Sequence, residues 1–259
     1  MSEKRPIFLR IYAILAYFYL YLPILILMIF SFNTQKLNIH WEGFSLQWYA
    51  ALFQDREVLL ATRNTLVIAI ISTLIATSIG TLAALALQRY RFPGHQFADS
   101  SLYIAVIIPE VVMGIGLLVL FSQLKINLGI TTITISHIAF SIPFVTLVVR
   151  ARLHGFDRSI EEAAMDLGAN GLKTFWRVTL PMIMPGVMAG ALLAFTLSLD
   201  DYVITFFTAG PGSSTLPLRI YSMIRHAVTP EINALSTLWV VTVFMILSVG
   251  QLLQKRQIL

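Results

Sequence analysis

Six long apolar stretches alternate with shorter polar segments along the 259-residue chain. The stretches cover residues 11–32, 66–87, 102–120, 133–149, 183–207 and 235–253. Each is close to the roughly 20 residues that a helix needs to cross the hydrocarbon core of a bilayer. Helices are suited to lipid because they satisfy their backbone hydrogen bonds internally. The pattern therefore predicts an all-α polytopic membrane protein with six transmembrane helices.

The composition supports lipid as the main solvent of this chain. It is 57% hydrophobic and 12% charged, with a mean hydropathy of +0.79. A soluble domain has too few apolar residues to match these values, so we predict a single membrane domain over residues 1–259. The chain contains no cysteine, which excludes disulfides and thiolate metal sites. The pI is near 9.6, but the basic residues are not clustered with aromatic residues, so we expect lipid contact and no nucleic-acid partner.

The distribution of basic residues predicts an orientation. Lys4, Arg5 and Arg10 precede an apolar stretch that is too long for a signal peptide and has no cleavage site after it, which predicts an uncleaved first span. Twelve basic residues fall on one side of the six spans: Lys4, Arg5, Arg10, Arg89, Arg91, Arg150, Arg152, Arg158, Lys173, Arg177, Lys255 and Arg256. Six fall on the other side: Lys36, Arg56, Arg63, Lys125, Arg219 and Arg225. The positive-inside rule then places both termini in the cytoplasm.

The longest hydrophilic interruption on this cytoplasmic side covers residues 157–181. Ser159 and Glu162 have the spacing of a capping box at a helix start. The following residues are strong helix formers, and Gly168 is typical of a helix stop. The segment therefore predicts a helix of about two turns presented to water.

Acidic residues lie inside two of the predicted spans. Glu110 is near the middle of the third span, next to Pro109, and Asp200 and Asp201 lie in the outer half of the fifth. An acid at the centre of a span costs about 2.5–3.5 kcal/mol, so such residues are rare without a use. They are either paired within the protein, nearer the interface than the span limits suggest, or part of a pathway for a cation.

We favour the cation pathway, because the basic residues lie at the span ends and offer these acids no partner. Adjacent positions on a helix point about 100° apart, so one of Asp200 and Asp201 should face the pathway and the other a packing neighbour. The ring of Tyr202 is a further candidate for contact with an ammonium group, although packing explains a lone aromatic residue equally well. A helix break at Pro109 is tolerated at membrane depth where it lines a cavity.

The hydrophilic segment resembles the EAA loop of the membrane subunits of binding-protein-dependent ABC importers. It contains Glu162-Ala163-Ala164, then three residues, Gly168, nine residues, Val178 and, after one residue, Leu180-Pro181. Val178 replaces the isoleucine that is usual in the motif. The resemblance implies the type I ABC importer permease (MetI-like) fold, with a core over about 60–253 and a coupling helix that docks on a cytoplasmic ATPase. The residues that it assigns to ATPase coupling are Glu162, Ala163, Ala164, Asp166, Gly168, Leu180 and Pro181.

From about residue 17 to 253, the chain also resembles the second permease subunit of polyamine (spermidine/putrescine) importers. The similar segments are 30–33, 48–49, 89–92, 196–207, 210–225 and 228–235. The resemblance implies an inner-membrane heterodimer with a sister permease, two cytoplasmic ATPase subunits and an extracytoplasmic polyamine-binding protein. It also implies that this chain binds no cofactor, and that ATP and Mg belong to the ATPase. Consistently, the chain has no G-x-x-x-x-G-K-[ST] loop.

Three alternatives remain open at this stage. An intramembrane aspartyl protease needs two carboxylates from different helices, such as Glu110 and Asp201, but its Gly-x-Gly-Asp signature is absent. A channel or gradient-driven transporter would explain the acids but not the EAA spacing. A permease of the same kind for another cationic or small organic solute would explain both features. The EAA spacing favours a transport subunit over the protease and the gradient-driven transporter, and we expect this subunit to be non-catalytic.

Overall fold

A computed structural model describes residues 7–35, 40–225 and 229–256 of the chain. Lys4, Arg5 and Lys36, which contributed to the predicted orientation, lie outside the described residues, as does part of the similar segment 228–235.

In these described residues the chain is almost entirely helical, with one isolated bridge between Asn33 and Phe44. The helices are α1 (Ile7–Phe30), α2 (Gln47–Leu52), α3 (Arg56–Arg89), α4 (His95–Ile107), α5 (Glu110–Gln123), α6 (Ile130–Leu153), α7 (Ser159–Asp166), α8 (Gly171–Thr174), a π-helix (Phe175–Thr179), α9 (Leu180–Asp200), α10 (Val203–Thr208), α11 (Leu216–Ile224) and α12 (Pro230–Arg256).

Within the described ranges, five helical segments are long and apolar enough to cross a membrane, and α4 with α5 makes a sixth if the pair is counted as one span. The all-α prediction is confirmed, but two spans differ from their predicted form. The third is divided at Ile108-Pro109, where α4 and α5 meet at a bend of 111°. The fifth ends as a regular helix at Asp200, and a separate short helix follows.

Several helices extend beyond the apolar stretches that predicted them. α3 begins ten residues earlier than the predicted span because the Asp55 carboxylate caps its start and accepts from the backbone N–H groups of Glu57 (2.7 Å) and Val58 (3.2 Å). The fourth span contains Pro143, and α6 continues through this residue. Hydropathy marks the lipid-facing part of a helix, whereas capping decides where it starts.

The chain divides into two compact units, of which the first comprises residues 1–59 and 219–242. In this unit the buried Asn33 organises the segment after α1. Its side chain donates to the carbonyl of His40 (2.7 Å) and accepts from the N–H of Glu42 (3.0 Å), and the Trp48 indole donates to its backbone carbonyl (2.7 Å). The similar segments 30–33 and 48–49 are thus bonded to each other.

The second unit comprises residues 60–218 and 243–259 and contains the principal core, built around α6 and α9. Val145 and Val149 of α6 pack with Ile183 and Ala194 of α9, and all four side chains are fully buried. Gly186 and Gly190 allow this close approach, because a Cβ at Gly186 would lie 2.6 Å from the Cβ of Arg152. The prediction of one membrane domain over residues 1–259 stays a prediction.

Gly210→Ala is expected to destabilise the second unit. A Cβ at Gly210 would lie 1.9 Å from the carbonyl oxygen of Leu128, so the backbone must move, and we expect a loss of about 3 kcal/mol. The measurement is the unfolding temperature of the purified chain in detergent. Gly116→Ala is the control, because no atom lies within 4 Å of its added Cβ and alanine favours a helix. Equal unfolding temperatures for both variants would contradict the close contact.

Candidate functional site

The first candidate region is the hydrophilic segment that carries α7, an eight-residue helix over Ser159–Asp166. The predicted capping box is wrong, because the N-cap residue is Arg158 and Ser159 is already helical. The carboxylate of Asp157 accepts instead from the backbone N–H of Ser159 (2.9 Å). This hydrogen bond lowers the pKa of Asp157 from its ordinary value, because it favours the charged form.

The end of α7 follows the prediction. Gly168 has a φ of +88°, in the left-handed region that only glycine adopts without strain. Its N–H donates to Met165 (2.9 Å) and the N–H of Ala169 donates to Ala164 (3.1 Å), which is the Schellman pattern. The helix therefore ends at a sharp turn whose geometry depends on Gly168.

The EAA residues divide into two groups in the structure. Glu162, Ala163, Asp166 and Gly168 are exposed on and just after α7, and Ala164 is half-buried. Pro181 is also exposed, but it lies in the first turn of α9, and Leu180 packs against the core of α6 and α9.

Apolar side chains accompany the exposed EAA residues on this surface. Leu167 is 90% exposed, and Ile160, Met165 and Leu172 are exposed as well. Exposed apolar residues on a polar segment are typical of a protein-binding surface. The sequence carries no signal that distinguishes these residues, because apolar residues are common throughout the chain.

Glu161 was also missed, although it precedes the EAA motif directly. Its side chain is buried, forms an ion pair with Arg89 at the end of α3, and accepts from the hydroxyl of Thr179. A glutamate in the first turn of a surface helix normally faces water, so the sequence carries no signal for its burial.

The second candidate region contains the membrane acids. Glu110 was expected near the middle of the third span, next to a helix break at Pro109, and it is the first residue of α5, directly after the bend at Pro109. Its side chain is exposed in this chain. A carboxylate at a helix start is favoured by the helix dipole, which reduces the cost of placing Glu110 at membrane depth.

Asp200 and Asp201 do not lie on one helix as predicted. α9 ends at Asp200, and Asp201 has an extended backbone with ψ 118°. The backbone therefore changes direction between Asp200 and Asp201, and helix geometry does not relate the two carboxylates. Asp200 is exposed, whereas Asp201 is 8% exposed.

Asp201 is bonded within the protein. Its carboxylate accepts from the N–H groups of Ile204 (3.3 Å) and Thr205 (2.8 Å) and from the Thr205 hydroxyl (2.7 Å), and thereby caps α10. Nε2 of His137 in α6 lies 3.2 Å from the same carboxylate. The expectation that the membrane acids have no basic partner is therefore wrong for Asp201.

His137 connects this cap to two further helices. Its Nε2 lies 2.9 Å from the Thr205 hydroxyl, which donates to Asp201, so Nε2 carries a proton and donates. Its Nδ1 lies 2.7 Å from the hydroxyl of Ser198 in α9, which in turn lies 3.1 Å from that of Ser72 in α3. The buried hydrogen bonds thus tie α3, α6, α9 and α10 together.

Asp200 and Glu110 differ from Asp201, since neither forms an ion pair among the residues that the structure describes. Glu110 begins α5, which packs against α10, the short helix that follows Asp200 and Asp201. Tyr202 is half-buried and its ring packs near that of Phe206, with centroids 5.8 Å apart. The structure therefore brings Glu110, Asp200 and Asp201 into the same part of the second unit, where the side chains of Glu110 and Asp200 are exposed. In the described ranges no group of three His, Cys, Asp or Glu side chains is arranged to hold a metal ion.

Comparison with known proteins gives a consistent result. Residues 76–257 match the family described as binding-protein-dependent transport system inner membrane component. The spermidine/putrescine transport system permease protein PotC of Escherichia coli K12 is 44% identical over 239 residues, which cover 92% of this chain and 90% of the relative. The putrescine transport system permease protein PotI of the same organism is 45% identical, over 87% of this chain and 83% of the relative.

Solved structures of ABC importers share the fold. A chain of a bacterial transporter that imports the acidic polysaccharide alginate superimposes with a TM-score of 0.76 at 18% identity, covering 96% of this chain and 94% of that one. A chain of the MetNI methionine transporter in an inward-facing conformation superimposes with a TM-score of 0.65 at 17% identity, covering 76% and 94%. The predicted ABC importer permease (MetI-like) fold is confirmed.

His137→Leu is expected to destabilise the second unit. The variant removes the imidazole from the buried Asp201 but leaves its bonds to Thr205, so we expect a loss of about 2–3 kcal/mol. The measurement is thermal unfolding of the purified chain in detergent. Asp200→Asn is the comparison for stability and should change the unfolding temperature little, because Asp200 is exposed. A larger effect of Asp200→Asn than of His137→Leu would contradict the described network.

Proposed function

Because this chain belongs to the family of binding-protein-dependent transport system inner membrane components, we propose that it is the permease subunit through which an ATP-driven importer moves polyamines across the inner membrane. The PotC and PotI relatives carry spermidine and putrescine transport in their names, and their identity extends over most of this chain.

The observation that carries the substrate assignment is the contrast between the membrane acids. The carboxylate of Asp201 is occupied by its bonds to His137 and Thr205, whereas Asp200 and Glu110 are exposed and lie in the same part of the second unit. An unpaired carboxylate at membrane depth is costly, and an ammonium group of a polyamine lowers that cost by pairing with it. We assign Asp200 and Glu110 direct contact with the substrate, and Asp201 the structural role of capping α10 and pairing with His137. Tyr202 remains a candidate for ring contact with an ammonium group.

We propose α7 as the contact for a cytoplasmic ATPase. The support is the exposed surface formed by Leu167, Met165 and the EAA residues around Glu162. Two ATPase copies would bind ATP and Mg, one against this chain and one against a sister permease. An extracytoplasmic polyamine-binding protein would deliver the substrate, and a periplasmic protein is present in the structure of the related alginate transporter complex. The excess of basic residues beside α7 supports placing it and both termini in the cytoplasm.

The mechanism that we propose is alternating access. Closure of the ATPase pair pushes α7, and the two permeases rock so that their shared pathway opens to the outside. The binding protein then releases the polyamine toward Asp200 and Glu110. Reopening of the ATPase pair reverses the movement and releases the substrate to the cytoplasm.

Asp200→Asn should lower polyamine uptake by the reconstituted transporter about ten-fold, equivalent to about 1.4 kcal/mol, because one charge partner of the substrate is lost. The measurement is the initial rate of labelled spermidine and putrescine uptake into proteoliposomes, normalised to the amount of assembled complex. Glu42→Gln, which removes an exposed acid from the segment before α2, should leave the rate unchanged. Unchanged uptake in both Asp200→Asn and Glu110→Gln would exclude the acid pathway. Transport of a different cation alone would exclude the polyamine assignment.

Gly168→Val should reduce coupling between ATP hydrolysis and uptake. A β-branched residue is strained at φ +88°, so the turn after α7 should reorganise and displace Leu167. The measurements are co-purification of the ATPase and the number of polyamines taken up per ATP hydrolysed. Gly155→Val is a matched control, because this position lies on the same side of the membrane, has open space around it and has no positive φ. Normal co-purification and normal coupling in Gly168→Val would remove α7 from the proposed interface.

A further inference from the structure

The carboxylate of Glu161 fastens α7 to the membrane-spanning helices. α7 otherwise presents mainly exposed residues, and the turn at Gly168 follows it. In the part of the chain that the structure describes, the side-chain hydrogen bonds and ion pairs between α7 and the spans all involve Glu161. Movement of α7 therefore acts on the spans through this residue and through the backbone.

The two partners of Glu161 belong to different spans. Arg89 is the last residue of α3, where its positive charge also suits the helix dipole. Thr179 is the last residue of the π-helix, and α9 begins at the next residue. The same oxygen, Oε1, meets both the guanidinium of Arg89 and the hydroxyl of Thr179. One buried oxygen thus joins α7 to α3 and α9.

Glu161 is bonded to the start of α9 at a π-helical segment, which is an uncommon backbone conformation. The segment Phe175–Thr179 forms π-helical rather than α-helical hydrogen bonds. Such wide turns are uncommon in proteins and are found mostly at functional sites, where one extra residue interrupts the regular bonding. Thr179 is 1% exposed, so its hydroxyl has little access to water and depends on Glu161 as its acceptor.

We propose that Glu161 is a positioning residue that transmits the movement of α7 to α3 and α9 during transport. Glu162 is exposed toward the proposed ATPase, whereas Glu161, the preceding residue, is buried toward the spans. The two neighbouring glutamates thus face the two sides of the coupling helix. This inference rests on the proposed function, since it requires an ATPase that pushes on α7.

A role of Glu161 in transmitting movement and a purely structural role predict different ratios of uptake to ATP hydrolysis. If Glu161 only holds α7 in place, its loss lowers the stability of the chain or the binding of the ATPase. If Glu161 transmits movement, the ATPase still binds and hydrolyses ATP, but fewer polyamines cross the membrane for each ATP. The ratio of uptake to hydrolysis therefore separates the two roles.

The experiment uses the complete transporter with its ATPase and binding protein, reconstituted in proteoliposomes. Glu161→Gln preserves the size of the side chain but removes the charge that Arg89 requires. We expect the ATPase to co-purify at the wild-type level, stimulated ATP hydrolysis to stay within about two-fold, and labelled spermidine uptake per ATP to fall at least five-fold. Arg89→Ala should produce the same decoupling. Arg91→Ala is its control, because Arg91 is exposed and its side-chain hydrogen bonds in the described residues are to His95, not to α7.

Thr179 provides a milder pair of variants that keeps the test decisive if Glu161→Gln does not fold. Thr179→Val retains the shape of the side chain and removes the hydroxyl, so uptake per ATP should fall. Thr179→Ser retains the hydroxyl and should restore the ratio to near the wild-type value. This rescue is not expected if Thr179 contributes only by packing its methyl group.

Two outcomes would overturn the inference: a wild-type ratio of uptake to hydrolysis in Glu161→Gln and Thr179→Val, or uptake that falls only in proportion to lost ATPase binding. Failure of the proposed function gives a different result, because the wild-type chain itself would then show no ATP-dependent uptake of polyamine. The wild-type measurement therefore distinguishes the two failures.

Discussion

Carboxylates that are buried away from water must be paired. In the second unit this constraint determines which helices are joined, both at the segment that carries α7 and around the membrane acids. Asp201 is paired with His137 and Thr205, and Glu161 is paired with Arg89 and Thr179. Leaving a buried charge without its partner costs several kcal/mol, so each pair holds its surrounding helices in place. The remaining membrane acids, Glu110 and Asp200, are exposed in this chain. Their cost is the physical reason to assign them a cationic partner from outside the chain.

Helix α9 connects the two regions. It begins one residue after Thr179, beside the coupling helix, and ends at Asp200, so its 21 residues span about 31 Å. Its glycines Gly186 and Gly190 lie directly against α6, which allows the two helices to pack as one body. In the proposed mechanism, a displacement at its start is carried along this packed helix toward the acids at its end. In the proposed mechanism, α9 is the mechanical link between ATP hydrolysis and the substrate pathway.

In two pairs of adjacent acidic residues, the structure buries one carboxylate and exposes the other. Glu161 and Glu162 are adjacent, yet one is buried against the spans and the other is exposed. Asp200 and Asp201 are adjacent as well, and here the helix ends between them, so Asp201 turns inward and caps α10. In each pair one carboxylate maintains the structure and the other is open to a partner.

The sequence by itself determined the all-α membrane architecture, the family and the surface helix with its stop at Gly168. These properties depend on apolar length, motif spacing and local backbone preference, which are all local along the chain. The tertiary structure decided which acids are paired, because the partners are distant: Arg89 and Glu161 are 72 residues apart. It also decided the angle of the bend at Pro109 and the end of α9 at Asp200, because the stretches on both sides of each break are apolar and predict one span. Whether a charge in such a chain is satisfied depends on the helices packed around it, and hydropathy along the chain does not specify that packing.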